Sequence, residues 1–132
     1  MSLRYLVDTD WVIHYLNSDA RTVTALDAQR ADGVGISPVS IAELYEGVYF
    51  GREPQANEGK LRDFLAGITG LGLDEAACRI FGRERGGLRA ARKIIGDFDL
   101  LIAATALQRG LILLTNNRRH FERVERLRME SL

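Results

Sequence analysis

The segment Gly96-Asp97-Phe98-Asp99-Leu100-Leu101-Ile102-Ala103-Ala104-Thr105-Ala106 constrains the fold most, because it is apolar or small on nearly every side yet opens on two acids. Its Leu, Ile and Ala content reads as a helix buried all round. A carboxylate in the first turn of such a helix must be paired, hydrated or bound to a cation. Burying it alone costs on the order of several kcal/mol or shifts its protonation. At about 100° per residue, Asp97 and Asp99 project roughly 200° apart and are poorly placed to serve one ion together. Asp97 shares its side with Leu101, Ala104 and Gln108, whereas Asp99 shares its side with the small residues Ala103 and Ala106. Asp97 is therefore expected to cap the helix, and Asp99 to be available for chemistry.

The rest of the chain alternates short apolar runs with amphipathic ones. Residues 3–7 suit a buried strand that ends at Asp8, and Thr9 or Asp10 is expected to cap a helix over 12–16, with Asp8 a further candidate for that cap. His14, in that helix, reads as a packing or surface residue. Ser18 or Asp19 caps a second helix that runs to residue 32, Gly33 closes it, and 34–37 is a second strand. Ser37-Pro38 starts a helix over 39–50, since proline is favoured at the first helical position. Within it Ser40-Ile41-Ala42-Glu43 also matches a capping box, which would give Glu43 a structural role. Residues 51–57 read as a loop, 58–68 as a helix and 71–73 as a very short strand. Asp74 caps a helix that Gly86-Gly87 is expected to kink. After the buried helix, Gly110 is a C-cap, 111–115 the clearest core strand, 118–121 one helical turn and 127–130 an edge strand. His120 reads as exposed or packing. The pattern predicts a single α/β domain over 1–132, a three-layer α/β/α sandwich with a short, mainly parallel central sheet.

Charge bounds the function. Lys and Arg number 18, Asp and Glu 18, and the formal net charge is +0, which argues weakly against a dedicated nucleic-acid binder. Distribution matters more than the sum. Only Lys60 and Lys93 are lysine, and the arginines gather in 79–92 and 118–128. Arg83, Arg85, Arg89 and Arg92 are candidates for RNA phosphate contact, because the planar guanidinium donates two parallel bonds; the alternative is a solvated helix face. The lone Cys78 excludes an internal disulfide and a cysteine-rich zinc site. With no signal-peptide pattern and no membrane-length apolar run, the expected location is the cytoplasm.

In a parallel sheet, Asp8 and Asn117 lie just past the C-terminal ends of strands, where open α/β sheets bind ligands. Glu43 and Asp99 lie in the first turns of helices, so all four are able to converge on one sheet edge. Clustered carboxylates repel, and hard oxygen donors suit Mg²⁺ or Mn²⁺, which normally keeps waters and takes phosphate oxygens as further ligands. Such a site suits metal-assisted phosphodiester hydrolysis without a Ser, Cys or His nucleophile.

The order Leu6-Val7-Asp8-Thr9-Asp10, Ser37-Pro38-Val39-Ser40-Ile41-Ala42-Glu43-Leu44, Asp99-Leu100-Leu101-Ile102-Ala103-Ala104 and Leu114-Thr115-Asn116-Asn117 resembles PIN-domain ribonucleases, specifically the VapC toxins of toxin-antitoxin pairs. The resemblance spans nearly the full chain. It implies a metal site of Asp8, Glu43 and Asp99, with Asn117 where many relatives carry a fourth acid. It gives Thr9 a role in orienting water. It further implies endoribonuclease activity, often on structured RNA such as tRNA or rRNA, a homodimer, and inhibition by a cognate VapB-like antitoxin. Two alternatives compete. A catalytically silent PIN-like module would bind RNA or protein only. A haloacid-dehalogenase-like phosphatase would use Asp8 as nucleophile, since Asp8-Thr9-Asp10-Trp11-Val12 fits its opening motif and Gly96-Asp97 is similar to its late acidic one.

Overall fold

The computed structural model describes residues 2–132. Five short strands form one sheet: β1 (Tyr5–Val7), β2 (Val34–Ile36), β3 (Thr69–Gly70), β4 (Ile112–Leu114) and β5 (Met129–Glu130). Their order is β3-β2-β1-β4-β5, and every pairing is parallel. The chain builds outward from β1 to β3, then returns to lay β4 on the other side of β1. That reversal opens a crevice at the C-terminal ends of β1 and β4, where a doubly wound sheet accepts ligands.

Among the described residues seven α-helices cover the sheet: α1 (Thr9–Leu16), α2 (Ala20–Gln29), α3 (Pro38–Tyr49), α4 (Pro54–Ala66), α5 (Glu75–Ala90), α6 (Asp97–Arg109) and α7 (Arg118–Phe121). The strands alternate between two cores, as a pleat covered on both faces must. Tyr5, Val7, Ile112 and Leu114 pack with Trp11, Leu26, Leu44, Leu61 and Phe64 of the first four helices. Leu6 and Leu113 pack with Leu88, Leu100, Ile102, Ala103 and Phe121 of the last three. The three layers are those expected.

Several local expectations change. Asp97 is not the cap of α6: the N-cap is Gly96, which makes no side-chain bond, and Asp97 is the first helical residue. Its carboxylate instead accepts from Arg85 Nη2 at 2.5 Å. Gly86-Gly87 does not kink α5, which stays helical throughout its length. Leu88, between the glycines and the helix end, is buried against α6 and holds the turn in place. Pro54 is not in a loop but opens α4, after Glu53 takes a left-handed conformation at φ 54°. The capping box at Ser40 does not form, because the helix starts a turn earlier: the Ser37 hydroxyl accepts from the Val39 N–H, and Ser40 lies buried inside the helix. The third strand sits at 69–70 rather than 71–73. Gly110, at φ 66°, does close α6, and the Leu111 N–H returns to the Ala106 carbonyl.

Candidate active site

Asp8 stands where strand turns into helix. Its N–H donates to the Leu114 carbonyl at 3.0 Å, extending the β1–β4 pairing by one residue. Its backbone is extended, and of the three candidate caps it is the N-cap of α1, with Oδ1 accepting from the Thr9 N–H at 2.8 Å. Oδ2 accepts from the Thr115 hydroxyl at 2.7 Å. The residue is only 3% exposed. Burial, with the charge of Asp10 next and Asp99 adding a little, pushes its pKa up to about 7 against the pull of the two hydrogen bonds. The side chain is thus cap and site at once.

Thr115 passes the connection on. Its hydroxyl oxygen accepts from the Asn117 N–H at 3.0 Å, so the loop after β4 hangs from the same group that holds Asp8. Asp10 fastens that loop from the other side, accepting from the Asn116 N–H at 2.9 Å, and the Trp11 indole donates to Asn116 Oδ1 at 3.1 Å. Glu43 reaches the site from α3: the Thr9 hydroxyl donates to its Oε1 at 2.7 Å. Asp99 enters from α6 and has its Oδ2 at 3.1 Å from His120 Nδ1 of α7.

The sheet crevice therefore links Asp8, Thr9 and Glu43 directly, and Asp99 reaches Asp8 through its charge. Asn117 is tied in by its backbone, and among the described residues its side-chain amide makes no hydrogen bond. Three contributors escaped the reading of the sequence. Thr115 was visible as the last residue of a strand and as part of the Leu114–Asn117 motif, without a role of its own, Asp10 as a possible cap, and His120 as an exposed or packing residue. Their roles depend on contacts across 107, 106 and 21 positions, which no local pattern reports. Of the four arginines expected to meet phosphate, Arg85 is otherwise engaged: it is bonded to the Ile95 carbonyl at 2.9 Å and to Asp97. Arg83, Arg89 and Arg92 are exposed on or just beyond α5. Because Asp97 is spent on Arg85, the phosphatase reading also loses its late acid.

The donor set is open to a divalent cation. Asp8, Asp10 and Glu43 make no ion pair with any Arg or Lys among the described residues, and Asp99 has only His120 as an ionisable partner. Among these residues no three carboxylate, imidazole or thiol side chains already form a closed cage around one point. The arrangement fits Mg²⁺ better than a cage-bound metal, since Mg²⁺ is commonly held by one or two carboxylates, with water and substrate phosphate completing its shell.

The sequence profile of the PIN domain matches residues 5–127. The chain belongs to the PIN-domain family. Within it the similarity is to VapC proteins. The chain is 36% identical to ribonuclease VapC2 of Haemophilus influenzae and 34% identical to the tRNA(fMet)-specific endonuclease VapC of Shigella flexneri, covering 98% of each protein and of itself. Among solved structures, the VapBC2 complex of Rickettsia felis, bound to a DNA fragment from its promoter, superposes with a TM-score of 0.92 at 27% identity. That match covers 98% of this chain and 99% of the other. The DNA-bound VapBC of Salmonella typhimurium superposes equally well, at 28% identity over 98% of both. The superposition on the Rickettsia felis complex, over 98% of the chain, shows that the fold is shared across nearly its full length.

Proposed function

We propose that this PIN domain is a VapC-type endoribonuclease that hydrolyses phosphodiester bonds in structured RNA, with Mg²⁺ or Mn²⁺ as its metal. The observation that carries the reading is Asp8: a buried carboxylate, pushed towards neutrality by burial and two further acids, with no protein cation beside it. Asp8, Glu43 and Asp99 would hold the metal by drawing together around it, with Asn117 adding at most a neutral oxygen. A bound ion would supply a water of lowered pKa and offset charge on the phosphoryl group. The chain's own residues set the geometry. Thr115 and the Thr9 N–H fix both Asp8 oxygens, the Thr9 hydroxyl holds Glu43, and His120 holds Asp99. Such outer contacts decide where ligands point.

Regulation by a VapB-like antitoxin belongs to the same proposal. An apolar groove of about 240 Å³ begins beside Glu43 and is lined by Ile13, Leu16, Leu44, Val48 and Lys60. A segment lying in it would cover one side of the site. The homodimer and the cytoplasmic location complete the reading. Tyr49 and Phe50, 59% and 89% exposed at the end of α3, give the kind of aromatic surface that contacts use. Among the described residues no helix is long and apolar enough to cross a membrane.

Incubation of the purified protein with pooled cellular RNA, with Mg²⁺ or Mn²⁺ and with chelator, tests the activity. Cleavage is expected only with metal, and Asp99→Asn is expected to abolish it. Equal cleavage by wild type and Asp99→Asn would remove Asp99 from the site. A protein that binds RNA but never cuts it would instead be the silent module.

A further inference from the structure

Beyond Asp99 the site opens into a second cleft, of about 540 Å³, between the 94–96 loop and α7. Arg119, His120, Glu122 and Arg123, on α7 and just after it, line one side and face Ile94, Ile95 and Gly96, so basic groups outnumber the one acid there. Three nitrogenous side chains thus gather beside an acidic centre, and their present engagements differ. Arg123 donates to the Ile94 carbonyl and so closes one end of the cleft. His120 is held on Asp99. Arg119 is exposed, and among the described residues it forms neither an ion pair nor a hydrogen bond. None of the arginines at 83, 85, 89 and 92 lines this space.

An RNA strand cleaved at Asp8 and Asp99 carries a phosphate on each side of the scissile one. The strand must leave the acids through an opening where the charge changes sign. The cleft beside Asp99 is such an opening, and its uncommitted cation is a guanidinium, whose fork matches a phosphate's oxygens. Ile94, 78% exposed on the other rim, offers an apolar edge for the sugar or base. We propose that Arg119 is a phosphate-positioning residue, which holds in this cleft the RNA phosphate next to the scissile one. The proposal rests on the nuclease reading of the acids and assigns the backbone contact to α7 rather than to α5.

The test compares wild type with Arg119→Gln, Arg119→Lys and, as a control on the distant face of α4, Arg62→Gln. Binding of a labelled single-stranded RNA is measured in chelator, so that no cleavage occurs, across a range of salt; cleavage with Mn²⁺ gives kcat and KM separately. Arg119→Gln is expected to weaken binding on the order of tenfold, as loss of a charge-assisted bond does. It should also lower the slope of log affinity against log salt by about 0.7, one phosphate contact on single-stranded nucleic acid. KM should rise with kcat nearly unchanged. Arg119→Lys should restore the salt slope and part of the affinity, and Arg62→Gln should match wild type. Arg119→Gln with wild-type affinity, salt slope and KM would overturn the proposal, even if the enzyme cleaves RNA normally. Conversely, wild type that shows the Arg119-dependent slope but cleaves nothing would support the subsite while refuting the nuclease reading.

Discussion

Replacing Asp8 by Asn should make the metal-free protein more stable while ending its activity, and the pH dependence of that gain is the informative part. In the folded chain the carboxyl titrates at about 7 rather than 3.8, chiefly because it is buried. Below pH 3.8 folded and unfolded chains both carry it neutral, and it costs nothing. Between 3.8 and 7 the unfolded chain ionises while native Asp8 keeps its proton, so the native state binds more protons and stability falls as pH rises. Above 7 the full penalty stands. At about 1.4 kcal/mol per pH unit, the gap corresponds to ~4 kcal/mol. Asn is as good an N-cap as Asp and keeps the bond from the Thr9 N–H. The Thr115 hydroxyl loses its carboxylate acceptor, a cost of about 1 kcal/mol. The net expectation is ~3 kcal/mol at pH 8, on the order of 10 °C in Tm, with no gain left at pH 4. Thermal denaturation of both proteins in chelator from pH 4 to 8 measures it. Mn²⁺ should then raise the Tm of wild type and leave Asp8→Asn unmoved. A difference that stays constant with pH, or a variant less stable at every pH, would refute the electrostatic account of this residue.

Asp97→Asn should cost at most about 1 kcal/mol, because the Asp97 side chain is 80% exposed and such pairs are weak, and it should leave cleavage intact; urea denaturation with an RNA assay checks both. Gly86→Ala and Gly87→Ala should each stabilise the protein by about 0.5 to 1 kcal/mol, since α5 is continuous and a Cβ at either position meets nothing within 4 Å. Gly47→Trp should weaken antitoxin binding at least tenfold with little change in Tm, because Gly47 lines the groove beside Glu43 and has open space above it; calorimetric titration with the antitoxin gives the result.

The sequence made the layers legible because strand and helix periods are local. Residues 111–114 are continuously apolar and 100–106 almost wholly apolar or small, and both lie largely inside the sandwich. The placement of Asp8 and Asn117 was legible for a related reason: Asp8 directly follows β1 and Asn117 lies in the loop after β4, and in a parallel sheet those strand ends are neighbours once the strand order is known. What stayed hidden was the network between them. Asp97 looked like a cap because Asp is a good one, but Arg85, twelve positions away, claims it. Ser40 to Glu43 satisfied a capping pattern, but Ser37 with Pro38 had already started the helix. Gly86-Gly87 carries an intrinsic cost that the burial of Leu88 against α6 outweighs. The arginines at 83–92 outnumber Arg119, yet only the folded chain shows which guanidinium lies beside Asp99 without a partner.

Asp8 and Asp99, from the end of the first strand and the buried helix, are proposed to hold a catalytic divalent ion. Diffraction at the manganese absorption edge, from crystals grown with Mn²⁺, tests this most directly. An anomalous peak is expected about 2.0 to 2.3 Å from carboxylate oxygens of both residues, by the usual distances for hard cations. A protein that cleaves RNA with Mn²⁺ yet shows its anomalous peak elsewhere, with neither Asp8 nor Asp99 as a ligand, would contradict it.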